Sequence, residues 1–122
     1  MLDPKEFKTP FIIPTVPKSN PVYSEDRYWD GRVWPPVNFL VYLGLKQYED
    51  SPITEQAMNY LVRNSKELLL QDWHNYHFVR ENYDPVTGTG KEENYSASFY
   101  HWGGLLGMMT LIEEGVIPDP GN

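Results

Sequence analysis

Two tryptophans, a tyrosine and an Asp/Arg pair lie within the nine positions of the segment YWDGRVWPP, residues 28–36. Indole and phenol rings offer apolar faces, and aspartate and arginine offer charged hydrogen-bonding groups. A pyranose ring can use both, because its C–H face stacks on aromatic rings while its hydroxyl rim binds charged groups. These residue types therefore indicate a surface suited to a sugar.

Two further segments combine polar groups with aromatic residues. RENYDPVTGTG, residues 80–90, contains two carboxylates around a tyrosine, and SFYHWGG, residues 98–104, contains His101 and Trp102. Each of the three segments precedes or opens into an apolar helical pattern, so they could gather at one end of a helical bundle. Hydrolysis of a glycoside needs two carboxyl groups across the bond that breaks. From residue types alone the candidates for this pair are Glu81, Asp30, Asp84 and Asp26, and their spacing selects none of them.

Apolar periodicity predicts three helices that would position these segments. The first runs from position 36 or 37 to about 49 and is apolar around most of its surface. The second covers about 52–73, with Ser51 as N-cap, and is amphipathic. The third covers about 98–114, is apolar nearly all round and stops at Gly115.

Residues 1–36 are rich in proline and predict an irregular, extended arm that packs against other parts of the chain. One amphipathic helix and this arm cannot cover two helices that are apolar nearly all round. The pattern therefore predicts an incomplete domain, or one that packs against other copies or chains.

Composition excludes several classes of partner. The formal net charge of -7 argues against nucleic acid and against an anionic membrane surface. No apolar run is long enough to span a bilayer, and no signal peptide is visible. The compartment is therefore unknown, and a cytoplasmic location is expected if the chain is complete.

Metal and cofactor sites are not expected. The chain has no cysteine, which excludes disulfides and thiolate ligands. His74 and His77 lie three positions apart, but no third ligand lies near them in the sequence, so a solvated helix end is the favoured interpretation. His101 is favoured as a polar supporting group rather than a base.

Three motifs resemble those of a known group of enzymes. YWDGRVWPPVNFLVYLGL resembles the YWRGPxWPxxN segment of glycoside hydrolase family 63 and of mannosylglycerate-hydrolase-like enzymes, and more distantly the QWDxPxGWxP signature of family 37 trehalases. ENYDPVTGTG is similar to their EKYDxxxG or ExYdPxTGxG segment, and SFYHWGGLL to their FxWxxxL segment. The motifs occur in the family's order and at about its spacing. The resemblance covers about residues 20–115.

The resemblance implies an all-α fold, the last few helices of an (α/α)6 toroid preceded by the irregular arm. Residues 1–122 would be the C-terminal portion of the catalytic domain, with the arm and first motif in 1–36 and the helices and active-site loop in 37–114. The partners implied are a carbohydrate substrate and the remainder of the barrel, supplied by an upstream segment or another chain.

The resemblance also implies an inverting hydrolysis of an α-linked glucoside or mannoside. Glu81 matches the family's general base, whereas the general acid, an aspartate, lies upstream of the first motif in the family and has no counterpart here. The residues implied to bind the sugar are Tyr28, Trp29, Asp30, Arg32, Trp34 and Trp102.

The sequence departs from the family-63 pattern at two positions and leaves alternatives open. Asp30 stands where that family has Arg, as in the trehalase pattern, and Arg32 stands where it has Pro, so the identity of the sugar is open. Asp30 and Arg32 could instead form a local ion pair, and Trp29 and Trp34 could serve packing alone. The alternatives for the whole chain are a non-catalytic sugar-binding or interaction module and a truncated gene product without activity of its own.

Overall fold

The computed structural model describes residues 1–25, 27–48, 50–90, 96–98 and 100–120, and regular structure there is helical throughout. Within those residues the backbone forms isolated bridges but no strand, which confirms the all-α prediction. The architecture is that of a few helices of a toroid with an irregular arm in front. The described residues form three α-helices: α1, Pro35–Leu45; α2, Pro52–Tyr76; and α3, Leu105–Glu113. Three short 3-10 helices accompany them, Pro21–Glu25, Lys46–Tyr48 and His101–Gly104.

Helix α1 begins one residue earlier than the sequence predicts. Pro35 occupies the first turn, where its missing N–H costs nothing, and Trp34 before it is extended. The α-helical hydrogen bonds end at Leu45 and a 3-10 turn follows, so the α-helix is shorter than the predicted segment. Its end was predicted at about Glu49, which lies outside the described residues.

Helix α2 confirms the predicted start, with extended Ser51 as N-cap and Pro52 in the first turn. It continues past the predicted end and stops at Tyr76. There His77 adopts the left-handed conformation (φ 60°) and its N–H bonds to the Trp73 carbonyl at 2.8 Å. One side of α2 is buried and the other is exposed, as its amphipathic pattern predicts.

The third helix begins later than predicted, at Leu105 rather than at about Ser98. The reason is tertiary pairing: Ser98 forms an antiparallel bridge with Arg80, and the Ala97 carbonyl accepts the N–H of Glu81 at 3.0 Å. These backbone groups are then not available for a helix. The end agrees with the prediction to one residue, since α3 ends at Glu113 rather than at about Glu114, and Gly115 beyond it is left-handed (φ 68°). Phe99, predicted on this helix, lies outside the described residues.

The three helices pack on one another and enclose one apolar core. Ile12 and Ile13 of the arm insert into it, and Asn38 of α1 holds the arm there. Its side-chain amide accepts the Ile13 N–H at 3.0 Å and donates to the Ile13 carbonyl at 2.9 Å. In the described part of the chain no helix is both long and apolar enough to cross a membrane. The buried core residues are Ile12, Ile13, Val33, Tyr42, Met58, Leu61, Leu68, Tyr83, Leu106, Met109 and Ile112.

Candidate active site

Backbone pairing brings the three motif segments side by side at the ends of the helices. Val33 and Tyr83 exchange two N–H to carbonyl hydrogen bonds, both of 2.9 Å. Arg80 bridges Ser98 in turn, so the 80–83 segment lies between the first motif and the third. Pro14 bridges the other side of Val33. The arm and all three motifs are therefore one connected layer.

The side chains of Tyr28 and Glu81 meet within this layer. The Tyr28 hydroxyl donates a hydrogen bond to Oε1 of Glu81. Glu81 is only 8 % exposed, whereas Tyr28 is 40 % exposed. The hydrogen bond to Glu81, helped by partial burial and by the carboxylate's negative charge, raises the pKa of Tyr28 to about 12. The carboxylate predicted as general base is thus anchored by a residue of the aromatic motif.

Tyr28 belongs to a cluster of four aromatic rings, with Trp29, Trp34 and Trp102. Trp29 and Trp34 stack with ring centroids 3.6 Å apart and planes 11° from parallel. Tyr28 meets Trp34 edge-on at 4.8 Å, and Trp102 meets Trp34 edge-on at 6.0 Å. Trp34 is fully buried and its Nε1 donates to the Tyr28 carbonyl at 2.9 Å, whereas Trp29 is 48 % exposed. Trp34 therefore packs in the interior beneath Trp29, and Trp29 presents part of its ring to the solvent.

The Arg32 side chain points into the interior of the protein. It is fully buried, its Nε donates to Oδ1 of Asn82, and its Nη2 donates to the Gly90 carbonyl at 3.1 Å. These contacts hold the loop that carries Glu81. Asp30 lies in a turn closed by its N–H on the Arg27 carbonyl at 2.7 Å, and no ion pair joins it to Arg32 in the described structure.

The carboxylate of Asp84 is engaged in a turn. Its Oδ1 accepts the N–H groups of Val86 and Thr87, each at 2.8 Å. Burial alone would raise the pKa of Asp84, but these hydrogen bonds, helped by the Arg32 charge, lower it below its usual value. This geometry agrees with the turn that Asp84-Pro85 predicts. Asp26, the fourth carboxylate considered, lies outside the described residues.

Sequence reasoning missed several residues that hold this layer together. Asn38 stands at the last position of the first motif, so the motif itself carried that signal. Asp72 follows Leu68 by four positions on the buried side of α2, and its spacing could have identified it as a core acid. Asn82 had no signal, because its partner Arg32 is 50 residues away in sequence.

In the described part of the chain the histidines gather no metal-ligand set. His74 and His77 are exposed near the end of α2, and His101 is exposed beside Tyr100, with ring centroids 5.1 Å apart. The described residues contain no group of three or more His, Cys, Asp or Glu side chains that could hold a metal ion.

Comparison with known proteins identifies the family of this chain. The family model for the mannosylglycerate hydrolase MGH1-like glycoside hydrolase domain matches residues 1–103. The mannosylglycerate hydrolase of Thermus thermophilus is 30% identical over 84 residues. That match covers 69% of this chain and 18% of the relative, so the chain spans less than a fifth of that enzyme.

The family match includes the complete first and second motifs and their connection through α1 and α2. It reaches Trp102 in the third motif, so the aromatic cluster and the Tyr28–Glu81 contact both lie within it. The chain belongs to the family of MGH1-like glycoside hydrolase domains.

Proposed function

We propose that this chain is the C-terminal portion of an (α/α)6 glycosidase domain, in which Glu81 is the general base of an inverting hydrolysis. The observation that carries the proposal is the hydrogen bond from Tyr28 to Glu81. It places a nearly buried carboxylate against an aromatic surface that is partly open. A sugar stacked on that surface would lie within reach of the carboxylate.

The chemistry follows from the two oxygens of Glu81. Oε1 accepts the Tyr28 hydroxyl, and Oε2 has no hydrogen-bond partner among the described residues. Oε2 is therefore the oxygen that would take a proton from water as the water oxygen bonds to the anomeric carbon. The bond from that carbon to the leaving oxygen breaks on the opposite face, and a second carboxylic acid protonates the leaving oxygen.

The second carboxyl group would come from outside this chain. Asp84 is committed to its turn, and the resemblance places the acid upstream of the first motif. The proposal therefore includes a further part of the barrel, as an upstream segment or a separate chain. The isolated chain would then be inactive.

The sugar-binding residues fall into two groups by burial. Trp29, Tyr28, Asp30 and Trp102 keep exposed surface and would contact the sugar. Arg32 and Trp34 are fully buried and would act from behind, Arg32 by holding the loop and Trp34 by supporting Trp29. The Thermus relative is a mannosylglycerate hydrolase, so an α-linked mannoside or glucoside of a small acid is the substrate class proposed here.

A chimera tests the proposal. This chain would replace the aligned segment of the Thermus mannosylglycerate hydrolase, and hydrolysis of mannosylglycerate and glucosylglycerate would be followed by proton NMR. We expect turnover with release of the sugar as the inverted anomer, and its loss in Glu81→Gln. Glu67→Gln is the matched control, since Glu67 lies on the exposed side of α2 and should not affect turnover.

Three results would contradict parts of the proposal. Hydrolysis by the isolated chain, abolished by Glu81→Gln, would overturn its predicted inactivity. Retention of the anomer would overturn the inverting mechanism. Sugar binding by the isolated chain that survives Glu81→Gln, with a folded chimera that does not turn over, would instead favour a non-catalytic sugar-binding module.

A further inference from the structure

Arg80, the residue directly before Glu81, is bound to helix α2 by a buried ion pair. Its Nε lies 3.0 Å from Oδ1 of Asp72. The Asp72 side chain is 1% exposed and the Arg80 side chain 14% exposed. The pair therefore ties the segment that carries the base to the longest helix of the chain.

The Arg80 guanidinium is also enclosed by its surroundings. Its Cζ lies 5.0 Å from the centre of the Tyr76 ring and 4.8 Å from that of Phe78. A Cβ at Gly90 would come within 2.4 Å of Nη1, so glycine leaves room for the guanidinium in its observed position. The side chain thus has little freedom to change rotamer.

The backbone around Arg80 is fixed as well. Its N–H bonds to the Tyr83 hydroxyl at 3.0 Å, and the next N–H, that of Glu81, bonds to the Ala97 carbonyl. A Cβ at Gly103 would come within 2.6 Å of the Arg80 carbonyl oxygen, so the third motif packs directly against this peptide. Arg80 and Glu81 project to opposite sides of an extended segment, one toward α2 and the other toward Tyr28.

Stability alone does not account for the ion pair. Burying two charges costs about as much free energy as their attraction returns, and apolar replacements of such pairs are often neutral or better. In addition, Oδ2 of Asp72 is buried without a hydrogen-bond partner in the described part of the chain, which costs further free energy. What the pair supplies is a fixed geometry for the residue before the base.

We propose that Asp72 and Arg80 are positioning residues that hold the Glu81 carboxylate against the Tyr28 hydroxyl. Only the effect of these residues on turnover rests on the proposed function. The positional claim concerns a contact within this chain and can be tested without catalysis.

The test is the ¹³Cζ resonance of Tyr28 at neutral pH in the isolated chain, assigned by its absence in Tyr28→Phe. That carbon responds to the hydrogen bond that the hydroxyl makes, and Glu81→Gln gives its position without the carboxylate. We expect Asp72→Asn to move the resonance most of the way to the Glu81→Gln position. Arg80→Lys should move it part of the way, since lysine keeps the charge but loses the planar group and its Nε donor.

Arg63→Met is the matched control, because Arg63 pairs with Glu67 on the exposed surface of α2 and forms no hydrogen bond or ion pair with Asp72, Arg80 or Glu81 in the described structure. A folded Asp72→Asn chain, judged by near-ultraviolet circular dichroism, with an unmoved Tyr28 resonance would overturn the proposal. If Asp72→Asn does not fold, the folded Arg80→Lys chain decides by the same criterion.

Turnover by the chimera separates this inference from the proposed function. We expect Asp72→Asn to lower kcat by about 10- to 100-fold with little change in KM, because misplacing a reacting group costs rate rather than binding. Turnover that persists in Glu81→Gln would remove the function proposed for Glu81. The NMR result would still decide whether Asp72 positions its carboxylate.

Discussion

The Tyr28 hydroxyl donates a hydrogen bond to the Glu81 carboxylate across 53 residues of sequence. Tyr28 opens the first motif and Glu81 opens the second, so this contact joins the aromatic surface to the carboxylate. Its basis is the backbone pairing of Val33 with Tyr83, which places the two segments side by side. Through this contact the Glu81 carboxylate raises the pKa of Tyr28.

Glu81→Gln should lower the pKa of Tyr28 from about 12 toward its usual value of 10.0. The reason is that ionisation of Tyr28 in the wild-type chain gives up a hydrogen bond to a charged acceptor and leaves two negative charges side by side, whereas the variant presents a neutral amide. Ultraviolet difference absorbance at alkaline pH measures tyrosine ionisation, and subtracting the Tyr28→Phe titration isolates Tyr28. Glu67→Gln serves as control, and a Tyr28 titration unaltered by Glu81→Gln would show that the hydrogen bond does not form in solution.

Trp34→Ala and Trp29→Ala should distinguish the packing role of Trp34 from the sugar-binding role proposed for Trp29. Trp34 is fully buried, so its removal leaves a cavity and should lower the free energy of unfolding by about 3–5 kcal/mol. Trp29 is 48 % exposed, so its removal should cost less stability but weaken sugar binding. Urea unfolding gives the first quantity and fluorescence titration with mannosylglycerate the second.

The same two variants can contradict this assignment. Equal losses of stability would mean that Trp29 is a packing residue like Trp34. Unchanged sugar affinity in a folded Trp29→Ala chain would remove Trp29 from the proposed sugar surface.

Local signals predicted the helices well where a single residue decides the boundary. Pro52 after Ser51 starts α2, and left-handed Gly115 follows α3, because each acts on its own backbone. The start of α3 could not be predicted in this way. The sequence around Ser98 contains nothing that disfavours a helix. Ser98 is extended because it forms an antiparallel bridge with Arg80, which belongs to a distant segment.

The candidate site shows the same difference between what local sequence signals predict and what long-range contacts decide. Aromatic content and motif order predicted which residue types would meet, and the structure brings Tyr28, Trp29, Trp34 and Glu81 together. Aromatic content and motif order could not predict which of these side chains would be buried. The residue type of Arg32 indicates a charged group for substrate, but Arg32 is fully buried on Asn82 and Gly90, which are 50 and 58 residues away in sequence.

Asn38→Ala should detach the arm from α1. The Asn38 amide satisfies both the N–H and the carbonyl of Ile13, and these buried groups would lose their partner. Leaving a buried group unpaired costs about 1–3 kcal/mol, so we expect at least ~2 kcal/mol of lost stability by urea unfolding. Asn38→Asp keeps the acceptor but loses the donor, and the arm should become more sensitive to proteolysis in both variants. Wild-type stability in Asn38→Ala would show that the arm does not depend on this clamp.

Asp84→Asn should change how the stability of the chain depends on pH. The folded-state pKa of Asp84 lies below its usual 3.8, because the N–H groups of Val86 and Thr87 and the Arg32 charge outweigh the effect of burial. A lowered pKa means that the ionised carboxylate contributes stability above 3.8 and loses that contribution as pH falls through the folded-state pKa. Asparagine keeps the side-chain acceptor of the turn but not the charge.

The measurement is urea unfolding of wild type and Asp84→Asn at a series of pH values from about 7 to about 3. We expect wild type to be the more stable near neutral pH, with the difference shrinking as the pH falls below 3.8. Asp72, whose pKa burial raises despite Arg80, titrates in both proteins and so cancels from the comparison. A difference that is constant with pH, or that grows in acid, would show that the Asp84 charge does not stabilise the turn that follows Glu81.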